Sequence, residues 1–141
     1  MKNIDILEIK KRYSFAIKME VRDYELDCEQ IVNNANYLHY IEHTRHKFCI
    51  HAGMPFIELH KIGIDTVVRR VNIEYLSSLR SGDIFYSCLN VKRSGAKYIF
   101  QQHIYKEDGT AVIDAEVTAV VLKDGKLTRG DEIAPFFKRY L

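Results

Sequence analysis

Apolar and polar residues alternate in the first part of the chain, after a weakly patterned lead-in over residues 1–10. A period of two is typical of a β-strand with one buried face. The strand is predicted to end near Arg22. Its apolar positions are Tyr13, Phe15, Ile17 and Met19.

A helical period replaces this alternation after a polar loop. Asn34 is a good N-cap residue, so the pattern predicts a helix from Ala35 to Ala52. Gly53 and Pro55 supply a strong stop signal. The apolar stripe consists of Leu38, Ile41, Phe48, Cys49 and Ala52, and it is flanked by Tyr37 and Tyr40.

Beyond Gly63 the pattern is one of strands separated by short turns that contain glycine. The predicted strands are Val67 to Tyr75, Ile84 to Val91, Tyr98 to Tyr105 and Ala111 to Leu122. Short turns predict an antiparallel meander of these four strands. Apolar residues from Ile133 to Tyr140 at i, i+3, i+4 and i+7 predict a short terminal helix. The predicted fold class is therefore α+β, with an antiparallel sheet wrapped around one long helix.

Two of these strands are apolar on both faces, namely Ile84 to Val91 and Ala111 to Leu122. One helix covers only one face of a sheet. An exposed apolar face indicates contact with another molecule. We therefore expect a second subunit on the outer face, in a homodimer or a higher homo-oligomer.

Composition narrows the class of protein. A length of 141 residues fits a single domain over residues 1–141. A net charge of +2 is too small to indicate nucleic-acid binding, and no apolar run is long enough to cross a membrane. The first residues do not resemble a signal peptide. Three widely spaced cysteines argue against a disulfide framework, so we expect a cytoplasmic protein.

Candidate chemistry centres on Asp27, which lies seven residues before Asn34 on the loop that enters the long helix. The first amides of a helix have no intrahelical partners and form a natural anion site. A carboxylate beside such a site suits hydrolysis of an acyl compound. The alternative is that Asp27 only accepts hydrogen bonds from loop amides.

The run from Asp27 through Ile31, Val32, Asn33 and Asn34 to Tyr37 resembles the signature of the hotdog-fold acyl thioesterases of the 4-hydroxybenzoyl-CoA thioesterase family. The wider run, VRDYELD, then VNNANY, then EHTRH, is also similar to plant acyl-lipid thioesterases of the same fold. The resemblance covers the chain from about Tyr13 to Leu122.

The resemblance implies hydrolysis of acyl-CoA or acyl carrier protein thioesters, without a metal or other cofactor. Asp27 matches the family's catalytic carboxylate, and Asn34 matches the residue whose backbone amide polarises the thioester carbonyl. Gln30 stands where the family usually has glycine, and Glu29 adds a charge beside Asp27. These departures favour an alternative, a non-catalytic acyl-CoA-binding protein. A dehydratase would need a histidine and acid pair near the helix start, and the sequence shows none there.

Further residues are candidates for substrate binding. On the loop and helix they are Tyr24, Gln30, Asn36 and Tyr37. A basic group for the phosphates of coenzyme A consists of Arg69, Lys92, Arg93, Ser94 and Lys97. The alternative for the basic group is a solvated turn. His39, His43 and His46 are interpreted as a polar helix face or a subunit contact rather than a metal site. Cys28 is interpreted as a small buried apolar residue.

Overall fold

The computed structural model describes all residues from 1 to 141 and shows an α+β fold, in which a curled antiparallel sheet packs against one long helix. The helices are α1 (Ile9–Arg12), α2 (Asn34–His51), α3 (Phe56–Lys61) and α4 (Ala134–Phe137). The strands are β1 (Phe15–Glu20), β2 (Ile64–Tyr75), β3 (Ile84–Ser94), β4 (Lys97–Lys106), β5 (Ala111–Lys123) and β6 (Lys126–Leu127). None of the helices combines the length and the apolar character needed to cross a membrane.

The strand order in the sheet is β1-β3-β4-β5-β2, and β6 pairs with β5. The meander therefore includes only β3, β4 and β5, and the prediction of a four-strand meander is wrong for β2. The reason lies in the segment 76–83, which runs past β5 and β4 to reach β3 instead of forming a hairpin. Leu79 in this segment is fully buried. Its carbonyl accepts from the amide of Val32 at 2.9 Å, and its amide donates to the Tyr37 hydroxyl at 3.0 Å.

The long helix α2 begins one residue earlier than predicted. Asn33 is the N-cap, because its backbone is extended and its side-chain oxygen accepts from the amide of Ala35 at 2.9 Å. Asn34 is the first helical residue. The predicted stop is confirmed, since Gly53 follows the C-cap Ala52 with a φ of 81°.

The buried face of α2 differs from the predicted stripe at its N-terminal end. Leu38 is 39% exposed, whereas Tyr37 and Tyr40 are buried. Tyrosine can be buried when its hydroxyl finds a partner. The Tyr37 hydroxyl accepts from Leu79, and the Tyr40 hydroxyl donates to the carboxylate of Glu25 at 2.9 Å. The inner face is thus aromatic where the sequence predicted leucine.

The outer face of the sheet is covered in part by the N-terminal residues of the same chain. Short helices over Ile6–Glu8 and α1 place Ile4, Ile9 and Tyr13 in a buried cluster, together with Cys88, Tyr105 and Ala111. The expectation that this apolar face requires a second subunit is therefore wrong around Cys88. The terminal helix predicted from Ile133 is confirmed as α4, followed by a 3-10 turn, and Phe137 is fully buried.

A row of hydrogen-bonded side chains lies between the N-terminal residues and the sheet. The Tyr13 hydroxyl lies 2.5 Å from Nδ1 of His103 and 2.5 Å from the Tyr105 hydroxyl. Nε2 of His103 lies 3.0 Å from a carboxylate oxygen of Asp114. Burial lowers the pKa of His103 below its ordinary value of 6.5, although Asp114 acts in the opposite direction.

We expect the free energy of unfolding to fall as the pH drops below 6.5, because the unfolded state then takes up a proton on His103 before the folded state does. The stability contributed by neutral His103 is present above that pH and is lost as the pH falls through the depressed pKa. Urea unfolding between about pH 7.5 and about pH 5 measures this dependence. His103→Gln should flatten this dependence on pH. Equal pH dependence in the wild type and His103→Gln would contradict the assignment.

Candidate active site

The loop that carries Asp27 is closed by a tight turn. The amide of Asp27 donates to the carbonyl of Ile31 at 2.8 Å, and the amide of Gln30 donates to the carbonyl of Asp27 at 3.1 Å. One carboxylate oxygen of Asp27, Oδ1, accepts from the amide of Glu29 at 2.8 Å. The other oxygen, Oδ2, accepts no protein hydrogen bond and is available to a ligand or to water.

Gln30 has a φ of 61°, which lies in the left-handed region. The loop thus adopts the backbone conformation that a glycine would adopt with less strain. For an L-residue this conformation costs roughly 1–2 kcal/mol. Glutamine at position 30 therefore leaves the turn around Asp27 formed.

We expect Gln30→Gly to raise the free energy of unfolding by about 1 kcal/mol or less, since glycine removes the strain but has more freedom in the unfolded chain. Chemical denaturation measures the change. Glu29→Gly is the matched control, because Glu29 is not among the residues with positive φ, and this variant should be destabilised. Destabilisation of both variants to the same degree would contradict the interpretation.

Glu25 fixes this loop to the start of α2. Its carbonyl accepts from the amide of Asn33 at 3.0 Å and from the side-chain amide of Asn36 at 2.8 Å. Its buried carboxylate accepts from the amide of Arg22 at 2.8 Å, the guanidinium of Arg22 at 2.9 Å and the hydroxyl of Tyr40 at 2.9 Å. Burial alone would raise the pKa of Glu25, but the bonds from Arg22 and Tyr40 outweigh it and hold the pKa below its usual range. Sequence reasoning missed Glu25, and its three-residue spacing from Arg22 was the available signal.

A cleft of about 260 Å³ lies between the Asp27 loop, the start of α2 and the end of β2. It contains three predicted residues, Asp27, Asn34 and Tyr37. The other residues that line it are Ile31, Val32, Tyr75, Leu76, Ser77 and Ser78. The Tyr75 hydroxyl donates to the carbonyl of Asn34 at 3.1 Å. The segment from Tyr75 to Ser78 was not predicted as part of the site, because the meander prediction placed β2 beside β3 instead of beside β5.

The arrangement combines a carboxylate with the positive end of an 18-residue helix. As the first helical residue, Asn34 has an amide without an intrahelical partner, and the helix dipole favours negative charge at this end. A carbonyl oxygen that develops negative charge can accept from such an amide. The partly buried carboxylate of Asp27 lines the same cleft and can activate water or attack a carbonyl carbon.

Three of the four binding residues predicted on the loop and helix do not line this cleft. Tyr24 is 76% exposed and carries the guanidinium of Arg22 over its ring at 5.3 Å. It lies instead in a separate cavity of about 910 Å³, which His39 and His43 also line. The side-chain amide of Asn36 is bonded to Glu25, so Asn36 positions the loop. The side chain of Gln30 is exposed outside the cleft. Cys28 is exposed, so the prediction that it is buried is wrong.

The basic residues of the β3–β4 turn are too far from the cleft of their own chain to line it. Tyr75 at the cleft pairs with Ile113 of β5, whereas Lys97 pairs with Val120. Positions 113 and 120 of a strand are about 23 Å apart at roughly 3.3 Å per residue. Lys92 and Ser94 lie near the same distant turn, and Arg69 lies on the exposed edge strand β2.

Arg93 has a structural role that the sequence did not predict. Its guanidinium donates to the carboxylate of Asp131 at 2.6 Å, the carbonyl of Arg129 at 2.8 Å and the carbonyl of Gly95 at 3.0 Å, and it lies over the ring of Tyr98. These contacts hold the C-terminal segment against the turn. They engage Nε and Nη2 and leave Nη1 without a protein acceptor, so phosphate binding by Arg93 stays a prediction.

Comparison with known proteins identifies relatives of the chain. The family model described as "Thioesterase-like superfamily" matches residues 21–141. A chloroplastic acyl-acyl carrier protein thioesterase of Arabidopsis thaliana is 34% identical over 108 residues, which cover 75% of this chain and 57% of that protein. A putative esterase of Aquifex aeolicus is 31% identical over 114 residues, which cover 80% of this chain and 88% of that protein.

Among solved structures, a probable thioesterase of Escherichia coli has 28% identity and a TM-score of 0.75, and the match covers 89% of this chain and 97% of that one. The chain spans little more than half the length of the plant relative. The fold predicted from the sequence is confirmed by these matches.

Proposed function

Because the chain belongs to the thioesterase-like superfamily, we propose that it is a thioester hydrolase, which cleaves an acyl-CoA or acyl carrier protein thioester to a carboxylic acid and a thiol. One observation carries this proposal. Asp27, the residue that matches the family's carboxylate, lines a cleft together with the first residue of α2. The named activity of the plant relative, on acyl-acyl carrier protein, supports the same reaction type.

In the proposed reaction Asp27 acts as general base or nucleophile through the oxygen that accepts no protein hydrogen bond. A thioester has a good leaving group, so an activated water or a carboxylate suffices for attack. The amide of Asn34 donates to the oxygen of the carbonyl as negative charge develops there. Removing one such donor in other acyl-transfer enzymes costs roughly 2.7–4 kcal/mol. A cofactor has no part in this scheme.

The non-catalytic alternative loses its main support. It depended on Gln30 and Glu29 altering the loop. Gln30 has the left-handed backbone that the family's glycine permits, and the amide of Glu29 donates to the carboxylate of Asp27. Both departures are therefore compatible with a catalytic loop.

The test is release of free thiol from a panel of acyl thioesters of coenzyme A and of acyl carrier protein, with acyl groups of different lengths. We expect thiol release above the uncatalysed rate for at least one member of the panel. The carrier whose thioesters are hydrolysed with the higher kcat/KM, coenzyme A or acyl carrier protein, identifies the substrate class. Binding of these thioesters without release of thiol would contradict the proposal and support a non-catalytic binder.

We further propose a cytoplasmic homodimer or higher homo-oligomer in fatty acid metabolism, with the edge of β2 as the subunit contact. This edge strand is 12 residues long, and its exposed apolar side chains are Val67, Val68, Val71 and Tyr75. A long apolar edge strand offers unpaired backbone groups to a second chain. A neighbouring subunit would also be the source of basic groups for the nucleotide, since the β3–β4 turn is distant within one chain. The three cysteines are free, in keeping with a reducing compartment.

We expect Val68→Lys to shift the protein toward a monomer, because a charge on the contact strand would be buried without a partner. Sedimentation equilibrium of wild type and variant measures the mass. Leu127→Lys is the control, since Leu127 is also exposed but lies on β6. A wild type that sediments as a single chain at all concentrations would contradict the proposed contact.

A further inference from the structure

A second cleft, of about 390 Å³, lies between α2, the first half of β2 and the C-terminal helix α4. Most of its walls are apolar. The apolar residues include Cys49, Phe56, Val67 and Phe137, and the polar ones include Arg45 and Glu42. A cleft with these walls suits a hydrocarbon chain, and polar groups in such a cleft fix orientation and specificity.

Arg45 is the unusual residue in this cleft. Its side chain is partly buried, and burial lowers its pKa even though Glu42 acts in the opposite direction. Its one protein hydrogen bond runs from the guanidinium to Oε1 of Gln102 at 3.0 Å. None of the salt bridges of the chain includes Arg45. The remaining N–H groups of the guanidinium therefore have no protein acceptor.

Gln102 holds the guanidinium in a fixed place. It is fully buried on β4, and its amide nitrogen donates to the carbonyl of Ile41 on α2 at 2.9 Å. This bond fixes the orientation of the amide group, so Oε1 faces Arg45. A partly buried cation without a counter-ion is costly, and a guanidinium with free donors matches the two oxygens of a carboxylate.

The position of Arg45 relates it to the proposed reaction site. Arg45 follows Asn34 by about three turns of α2, roughly 16 Å along the axis at about 1.5 Å per residue. The Asp27 cleft and the Arg45 cleft both lie between α2 and β2, since Tyr75 lines the first and Val67 lines the second. Leu38, which is exposed, follows Asn34 by four residues and precedes Arg45 by seven, so the three lie on one side of the helix. An acyl chain about 16 Å long that followed this side of the helix from the Asp27 cleft would reach Arg45.

From this geometry we infer that Arg45 is a specificity-determining residue, which binds a carboxylate at the end of the acyl chain distal to the thioester. The preferred substrates are then thioesters of dicarboxylic acids of medium length. This inference rests on the proposed thioester hydrolysis. The bound carboxylate supplies the counter-ion that the protein does not place within salt-bridge distance of Arg45.

In the competing interpretation, Arg45 has only a structural role: it connects α2 to β4 through its hydrogen bond to Gln102 and interacts with Glu42. Glu42 lies on the same cleft but is exposed and forms no salt bridge with Arg45. A purely structural Arg45 would affect stability and all substrates to the same degree. A carboxylate-binding Arg45 would change the ratio between two substrates that differ only at their far end.

The experiment compares two acyl-CoA substrates of equal chain length, one ending in a methyl group and one in a carboxylate, with wild type, Arg45→Met, Arg45→Lys and Lys47→Met. Hydrogen bonds to a charged group contribute about 1.5–3 kcal/mol, so Arg45→Met should lower kcat/KM for the carboxylated substrate by about 10- to 150-fold. The value for the methyl-terminated substrate should change far less. Arg45→Lys, which keeps the charge, should retain part of the preference. Lys47 is an exposed residue of the same helix, and Lys47→Met should match the wild type.

Binding to the Asp27→Asn variant, with and without Arg45→Met, provides a second readout that does not depend on turnover. We expect the carboxylated acyl-CoA to bind more tightly than the methyl-terminated one only when Arg45 is present. Equal affinities in the presence of Arg45, or no binding of either, would overturn the inference. The carboxylated acyl-CoA could bind more tightly only when Arg45 is present, while the wild type releases no thiol. The proposed hydrolysis would then fail, and the inference that the cleft binds a carboxylate would stand.

Discussion

Replacing Asp27 with asparagine is expected to lower kcat/KM for the best acyl thioester by about 100- to 10,000-fold, the range that a positioned acid or base contributes. Asparagine keeps the size of the side chain and the oxygen that accepts from the amide of Glu29. It loses the negative charge that activates water or attacks the carbonyl. The turn should therefore persist while the chemistry is lost. Thiol release under conditions of low substrate concentration measures the effect.

The matched control is Glu29→Gln, which removes a neighbouring charge from the same exposed turn. This variant should retain activity within a few-fold of the wild type. The unfolding midpoints of both variants should remain close to that of the wild type. If Asp27→Asn and the wild type were equally active, Asp27 would not be the catalytic carboxylate.

Phe48→Ala is expected to lower the free energy of unfolding by about 3–5 kcal/mol, the usual cost of removing a buried phenylalanine ring. Phe48 is fully buried where α2 meets the sheet and the C-terminal helix. The ring centroids around it lie at 4.8 Å for Tyr140, 5.5 Å for Phe137, 5.8 Å for Phe15 and 6.3 Å for Phe100. The variant leaves a cavity where α2 meets β1, β4, α4 and the C-terminal 3-10 turn. Chemical denaturation measures the loss.

Ile50→Ala is the control for this prediction. Ile50 lies on the same helix two residues later and is 53% exposed. Its truncation should change the free energy of unfolding by about 0.5 kcal/mol or less. Similar losses in the two variants would show that α2 is not anchored through the Phe48 face.

The elements that could be predicted from the sequence are those fixed by local chemistry. Gly109 illustrates this, because its φ is 89°, a conformation that glycine adopts without strain. An Asp-Gly pair between two apolar runs therefore marks the turn between β4 and β5. The helix from Asn34 and its stop at Gly53 follow from the same kind of local signal. The closeness of Asp27, Asn34 and Tyr37 also follows, since all three lie within 11 positions of the chain.

The features that could not be predicted depend on contacts between distant residues. An apolar strand pattern shows which face is buried but not which strand is its neighbour, so the pairing of β2 with β5 was missed. The sequence also did not predict that Ile4, Ile9 and Tyr13 cover the outer face of the sheet, because these residues are too few to show a clear hydrophobic period. Arg93 could not be assigned, since its partner Asp131 is 38 residues away. Errors of this kind left Tyr75 out of the predicted site.

A crystal structure with an acyl-CoA analogue that has a ketone in place of the thioester tests the site most directly. We expect the ketone oxygen to accept a hydrogen bond from the amide of Asn34 at about 2.7–3.1 Å, with the carboxylate of Asp27 facing the carbonyl carbon. The reacting group would then lie between the loop and the helix start in the cleft that Tyr75 closes. An analogue whose carbonyl is bound elsewhere, with Asp27 directed into solvent, would contradict catalysis at this cleft.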